Sequence, residues 1–169
     1  SADGKLIVAD AGNFRVRVVE KNGSVWTLAG NGKRDSIDGL LDQASFVAPT
    51  DVSIDGFGAI YIADGDAIRA IGRRTFPFVE TLSGTKTGFQ DGNPGISAFN
   101  RPSGLAFDDS GNLFVADSEN QVVRVLTTGE SGKLITKEEK ETLRFSPEEF
   151  RKLREPRWTY DPPQKPREI

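Results

Sequence analysis

The same five-residue phrase occurs three times in this chain, as LIVAD at Leu6–Asp10, IYIAD at Ile60–Asp64 and LFVAD at Leu113–Asp117. The terminal aspartates of the three copies follow one another at spacings of 54 and 53 residues. β-Branched and aromatic residues bounded by turns that contain Gly and Asp are typical of buried strands. A fixed period of this length predicts a repeat architecture in which each copy is one structural unit.

Each unit is predicted to hold four short strands that run antiparallel through tight turns. In the second unit these strands are Thr50–Ile54, Ile60–Ala63, Ala67–Ile71 and Phe76–Leu82, and a long loop leads to the next unit. Four-stranded units of this size are typical of β-propeller blades. Because one blade cannot bury both of its faces, the units must stack on one another.

The two ends of the chain depart from the full blade pattern. The first unit begins without its opening strand, and the segment Lys133–Thr136 is a poor candidate for the fourth strand of the third unit. We therefore expect about two and a half four-stranded blades in residues 1–132. Residues 133–169 are expected to form a short helical segment followed by a Pro-rich linker, because helix-like stretches precede four closely spaced prolines.

Composition excludes several function classes. The chain has no His and no Cys, which removes Ser-His-Asp and thiol nucleophiles and His-ligated zinc. It has no run that approaches the roughly 18 apolar residues of a membrane span. Residues 1–132 carry 12 Lys and Arg against 17 Asp and Glu, which argues against nucleic-acid binding. A non-catalytic role is therefore favoured over an enzymatic one.

The third unit carries the most specific pattern. It contains PSGLAFD at Pro102–Asp108 and GNLFVAD at Gly111–Asp117, followed by Asn120 and Arg124. This pattern resembles the NHL repeat, and the resemblance covers about residues 1–127. The longer insertions of this chain are similar to those of bacterial NHL repeats. The resemblance implies an all-β fold that is part of a six-bladed propeller.

The resemblance also implies functions for such a chain. NHL propellers bind protein or other ligands, which favours a scaffold for a protein or surface ligand within a larger protein. Related six-bladed propellers include metal-dependent hydrolases and lyases, so a part of such an enzyme is an alternative. The tail weakly resembles the lead-in to a peptidase-like domain, so an accessory module of a peptidase-like protein is another. An extracytoplasmic location, periplasmic or secreted, is favoured.

The number of blades raises the question of ring closure. Propellers need at least four blades, so either further sequence completes the ring or copies of the chain associate. The absence of Met and a beginning within a blade favour a fragment of a longer protein.

Two sets of charged residues recur in every unit. The first set comprises Asp10, Asp64 and Asp117. These carboxylates could form a ring that holds calcium, or they could accept hydrogen bonds within turns. We favour the hydrogen-bonding role. The second set comprises Arg17, Arg69 and Arg124. These arginines could bind an anion, or they could pair with carboxylates inside the blades. We again favour the structural role. No cofactor is expected apart from this possible calcium ion.

Departures from the repeat are better candidates for a binding surface. Asp66 stands where the other units have Asn, and Trp26 stands where the second unit has Glu80. Arg73 and Arg74 form a basic pair on a predicted hairpin turn. We therefore name Asp66, Trp26 and the arginine pair as candidates for contact with a partner.

Overall fold

In a computed structural model, the described residues of the chain form three antiparallel β-sheets. The structure describes residues 4–72, 77–84, 86–93 and 95–128, together with the backbone of residues 134–137. Among these residues the helical segments are two 3-10 turns, Ala11–Asn13 and Ser118–Asn120. The part of the chain that is described contains no helix long and apolar enough to cross a membrane.

Each sheet corresponds to one predicted blade, and the strands follow one another in chain order. Blade 1 comprises β1 (Leu6–Asp10), β2 (Arg15–Val19) and β3 (Val25–Ala29). Blade 2 comprises β5 (Pro49–Ile54), β6 (Ile60–Asp64), β7 (Ala67–Ile71) and β8 (Phe78–Ser83), and the two-residue strand β4 (Gly39–Leu40) pairs with the outer edge of β8. Blade 3 comprises β9 (Pro102–Phe107), β10 (Leu113–Asp117), β11 (Val122–Thr128) and β12 (Leu134–Lys137).

Blade 2 lies between the other two blades and shares one apolar cluster with each. Alternation along β6 directs Ile62 to the cluster with blade 1, where it joins Val16. The adjacent Tyr61 joins the cluster with blade 3, which includes Leu113. Blade 2 therefore stacks one face on the preceding blade and the other face on the following one, as in a propeller.

The strand connections define two ends of the stack. The turns between β1 and β2, between β6 and β7 and between β10 and β11 lie at one end, with the long loops 30–48 and 84–101 that join the blades. We call this the loop end. The turns at residues 20–24 and 55–59 lie at the opposite end, which we call the hairpin end.

The turn of blade 2 at the loop end is shorter than those of the other blades. Gly65 and Asp66 alone join β6 to β7, with Gly65 at φ 60°. Glycine at the first position is what a two-residue hairpin with this backbone favours. Blades 1 and 3 use a 3-10 turn instead, followed by Phe14 at φ 55° and Gln121 at φ 58°.

The structure confirms the all-β fold and the repeated blades and corrects some boundaries. The expectation that Lys133–Thr136 would not form a strand was wrong, because β12 pairs antiparallel with β11. The long loop before blade 2 contributes the short strand β4, which was not among the predicted strands. The predicted helical and Pro-rich tail lies outside the described residues except for β12, and a boundary at residue 132 stays a prediction.

Candidate functional site

A buried aspartate–arginine pair lies at the loop end of blade 2. Asp64 ends β6 and Arg69 lies on β7, and neither side chain is exposed. Arg69 Nη1 donates to Asp64 Oδ2 at 3.0 Å, and the Ala48 amide donates to Asp64 Oδ1 at 2.7 Å. The predicted recurrence of Asp and Arg is therefore the recurrence of an ion pair.

The loop before blade 2 supplies the remaining partners of this arginine. Arg69 Nη2 donates to Asp38 Oδ1 at 2.8 Å and to the Ile37 carbonyl at 3.0 Å, while Nη1 donates to the Ser45 carbonyl at 3.2 Å. Asp38 also accepts from the Thr81 amide at 2.9 Å and the Thr81 hydroxyl at 2.8 Å. One Asp-Gly loop is thus fastened to both β7 and β8, and its strand β4 covers the edge of the sheet.

Blade 3 repeats the arrangement with its own loop. Arg124 Nη1 donates to Asp117 Oδ2 at 3.1 Å, and its Nε donates to Asp91 Oδ1 at 3.1 Å. The Asn100 amide donates to Asp117 Oδ1 at 2.8 Å, as Ala48 does in blade 2. The guanidinium also lies 4.3 Å from the centroid of the Phe99 ring, a cation–π distance.

Blade 1 carries the same pair in an open setting. Arg17 Nη1 lies 3.4 Å from Asp10 Oδ2, and the two side chains remain 27 % and 25 % exposed. Asn13 Nδ2 donates to both carboxylate oxygens of Asp10, at 2.9 and 3.0 Å. Among the described residues no Asp-Gly loop contacts Arg17, and this pair is the longest and the most exposed of the three.

The pKa values of Asp64 and Asp108 are shifted in opposite directions, by burial and by hydrogen bonding respectively. Burial raises the pKa of Asp64 above its ordinary value of 3.8, although the Ala48 amide and Arg69 favour the charged form. At the hairpin end, hydrogen bonds from the Asn112 side chain and amide hold the pKa of Asp108 below 3.8. Asp108 accordingly closes a turn, with its Oδ1 accepting from the amides of Ser110 and Asn112.

The recurring aspartates do not lie together. Each belongs to its own blade, and each accepts hydrogen bonds from its arginine. Within the described residues no group of three or more His, Cys, Asp or Glu side chains could hold a metal ion. The geometry around Asp10, Asp64 and Asp117 is that of ion-pair acceptors, and a calcium site at these residues stays a prediction.

The non-repeated candidates lie at different ends of the stack. Asp66 is at the loop end, where its Oδ1 accepts from the Arg101 amide at 2.9 Å and its Oδ2 accepts from the Thr87 hydroxyl. Trp26 is near the hairpin end on β3, with 43 % of its surface exposed. Arg73 and Arg74 lie outside the described residues, so their role as contact residues stays a prediction.

Trp26 belongs to a small exposed cluster. Its Nε1–H donates to Glu20 Oε1 at 3.0 Å, and Lys5 Nζ lies 3.3 Å from the same carboxylate oxygen. The turn between β2 and β3 brings Glu20 beside Trp26, and the pairing of β1 with β2 brings Lys5 to the same end of the sheet. We call Lys5, Glu20 and Trp26 the tryptophan cluster.

Sequence reasoning did not identify the partners of three carboxylates that hold the blades and loops together. Asp38 and Asp91 recur in Asp-Gly pairs before blades 2 and 3, and this recurrence was a signal for a shared partner. Asp51, which replaces a glycine of the repeat, has Oδ2 accepting from the Leu105 amide at 2.7 Å. It thereby links β5 to β9 of the next blade, a contact that local sequence does not reveal.

Part of the chain is similar in sequence to known proteins. Residues 99–126 match the sequence model of the NHL repeat. The protein SUPPRESSOR OF QUENCHING 1, chloroplastic, of Arabidopsis thaliana is 35 % identical over 106 residues, which are 60 % of this chain and 10 % of that protein. The chain thus spans about a tenth of this plant relative.

Solved structures share the fold at lower identity. A protein of unknown function from Bacteroides thetaiotaomicron superposes with a TM-score of 0.69 at 22 % identity, over 80 % of this chain and 33 % of that one. An auxiliary nutrient binding protein of the same organism gives 0.59 at 19 % identity, over 77 % and 33 %. Residues 99–126 of the chain therefore match an NHL repeat, and the chain has the fold of part of a β-propeller.

Proposed function

We propose that this chain is a non-catalytic binding module, in which stacked NHL-type blades form a rigid scaffold for a protein or surface ligand. The main observation behind the proposal is that the recurring charged residues form ion pairs with one another inside the blades. Asp64 and Arg69, like Asp117 and Arg124, are buried and bonded to each other. Groups held in this way stabilise the scaffold and are not available to transfer protons to a substrate.

The tryptophan cluster supports binding at the hairpin end of blade 1. Trp26 presents a large, partly exposed ring whose polar edge is fixed by Glu20, and Lys5 places a positive charge beside it. Rigid aromatic residues with fixed polar neighbours are common anchors in interfaces. One similar fold belongs to a nutrient-binding protein, which is consistent with a binding role for this scaffold.

Site-specific crosslinking tests this surface. A benzophenone amino acid at position 26 should crosslink one defined partner in the organism that produces the protein. Phe57 provides the matched control, because it is an aromatic residue at the hairpin end that is fully exposed. A crosslink at position 26 that is absent at position 57, with the same partner lost from a Trp26→Ala variant in co-purification, would support the proposal.

The outcomes that contradict the proposal are distinct. Equal labelling from positions 26 and 57, or no defined partner from position 26, would remove the tryptophan cluster as the binding surface. Titration with calcium chloride separates the binding module from a metal-dependent hydrolase or lyase. Tight calcium binding that Asp10→Asn abolishes, without loss of fold, would favour the enzyme and overturn the non-catalytic role.

A further inference from the structure

We propose that Asn22 is a site of spontaneous covalent modification, at which the side-chain amide is converted to a carboxyl group through a succinimide. The reaction needs only water and the chain itself. Asn22 and Gly23 lie in the turn between β2 and β3, which belongs to the hairpin end and not to a face on which blades stack. This inference concerns the chemistry of that turn and does not depend on the binding function proposed above.

The reaction at an Asn-Gly pair begins within the backbone. The Gly23 nitrogen attacks Cγ of Asn22, and the new C–N bond closes the succinimide ring. The Cγ–Nδ2 bond breaks, and Nδ2 leaves as ammonia with the proton that Gly23 nitrogen carried. One water then opens the ring at either carbonyl and leaves aspartate or isoaspartate at position 22. Glycine favours the attack because it has no Cβ to crowd its nitrogen.

The chain contains this pair twice, and the two copies form an internal comparison. They are Asn22-Gly23 and Asn31-Gly32, and every other asparagine precedes a residue other than glycine. Both glycines have φ 85°. Asn22 is exposed, whereas Asn31 is half-buried. Because the pairs share the same residue types and the same glycine φ, we expect their reactivity to differ through the contacts that hold each asparagine.

Asn31 is held by hydrogen bonds at its side chain and at its backbone. Its Nδ2 donates to the Gln43 carbonyl at 3.0 Å, and its Oδ1 accepts from the Lys33 amide at 2.8 Å. Its own amide donates to the Ala44 carbonyl at 2.8 Å, and its carbonyl accepts from Arg15 Nη2 at 3.3 Å. The rotations that bring Cγ onto the next nitrogen would break several of these bonds.

Asn22 is held by contacts within its own turn. The Ser24 amide donates to Asn22 Oδ1 at 2.9 Å, and the Gly23 amide donates to the Glu20 carbonyl at 2.9 Å. Asn22 Nδ2, the leaving group, makes no hydrogen bond to the residues that the structure describes. Local opening of one exposed turn costs much less than opening a loop that is packed between blades. Asn22 therefore reaches the reactive geometry more readily than Asn31.

The modification would change the neighbourhood of the tryptophan cluster. Glu20 Oε1 accepts from Trp26 Nε1 at 3.0 Å, and the backbone of Glu20 accepts from the Gly23 amide. Isoaspartate adds a methylene group to the main chain between these residues, and either product adds a negative charge to the turn. We therefore expect the position of Glu20 beside Trp26 to change in the modified chain.

Timed incubation of the full chain in mildly alkaline buffer tests the proposal. Peptide mapping by mass spectrometry should show Asn22 converting about tenfold faster than Asn31, since Asn31 must first lose side-chain hydrogen bonds that Asn22 does not make. The NMR signal of Trp26 Nε1–H should shift in the modified fraction. Asn22→Gln is the matched control, because glutamine would have to close a larger ring. This variant should show no conversion at position 22 and a constant Trp26 signal.

The same measurement in concentrated urea isolates the effect of the structure. Both pairs should then convert at similar rates, because the hydrogen bonds that hold Asn31 are lost. Equal rates at Asn22 and Asn31 in the folded chain would overturn the proposal. So would protection of both sites in the folded chain while both convert in urea. A Trp26 signal that stays constant in the modified fraction would overturn the effect on the tryptophan cluster.

Discussion

Blades 1 and 2 carry the same aspartate–arginine pair in two different environments. In blade 2 the pair is buried beneath an Asp-Gly loop, and Arg69 makes hydrogen bonds to Asp64, Asp38 and loop carbonyls. In blade 1 the pair is partly exposed, and Arg17 is 3.4 Å from Asp10. The comparison shows that residues of one blade form the pair, whereas its burial depends on the loop that covers it. We therefore expect the two pairs to contribute differently to stability.

The largest expected effect comes from removing the arginine of the covered pair. Arg69→Ala should lower the free energy of unfolding by about 3–5 kcal/mol, because it leaves Asp64 buried without its cation. Arg17→Ala should cost about 0–1 kcal/mol, as expected for a partly exposed pair. Denaturant unfolding of the two variants measures the difference.

A double substitution separates the lost ion pair from a general loss of packing. Asp64→Asn combined with Arg69→Met removes both charges while Asn can still accept from the Ala48 amide. This variant should recover part of the stability lost in Arg69→Ala. Equal destabilisation by Arg17→Ala and Arg69→Ala would show that the covering loop does not determine the strength of the pair.

A smaller effect is expected at the threonine that faces each arginine. Thr81→Val removes the hydroxyl that donates to Asp38 and should cost about 1 kcal/mol. Thr27→Val should leave stability nearly unchanged, because Thr27 is exposed and no described loop contacts it. Thermal unfolding of the two matched variants would contradict this account if both lost the same stability.

The smallest effect concerns pH and contrasts a buried carboxylate with a turn carboxylate. Because burial raises the pKa of Asp64, the folded state retains its proton above pH 3.8, and the contribution of Asp64 to stability falls as the pH rises from 3.8 through its folded pKa. The lowered pKa of Asp108 acts in the opposite sense. Its contribution is present above pH 3.8 and is lost as the pH falls through the folded pKa.

Carbon-detected NMR titration of the two carboxyl groups measures these directions. Asp64 should titrate above 3.8 and Asp108 below it. Asn112→Ala should move the pKa of Asp108 back towards 3.8, since it removes the largest stabilising contact of the carboxylate. Titration of Asp64 below 3.8 would show that Arg69 and the Ala48 amide outweigh burial.

Much of the fold could be predicted from residue patterns. The three copies of the strand phrase fall on β1, β6 and β10, and the apolar residues that alternate with charged ones in β2 include the buried Val16 and Val18. Predictions were weakest where local signals were weak. The short strand β12 was not predicted because its sequence, which overlaps KLIT at residues 133–136, does not resemble that of the equivalent strand β8.

The candidate site was harder to predict because its partners are distant in sequence. Arg69 and Asp38 are 31 residues apart, and Leu105 and Asp51 are 54 residues apart. A repeat indicates that Asp and Arg recur, but it does not indicate that the loop of one blade is held by the arginine of the next. Asp66 illustrates the same point, because its contacts to the Arg101 amide and the Thr87 hydroxyl depend on the path of the loop between blades.

The amino-acid sequence by itself determined the period, the strands and the order of the blades. Those features follow from hydrophobic alternation and turn chemistry, which act over a few residues. Only the tertiary structure decided which aspartate–arginine pairs are covered, because burial depends on the packing of one blade against the next. For the same reason the Arg17 side chain is partly exposed and the Arg69 side chain is buried, although the two residues occupy equivalent positions in their blades.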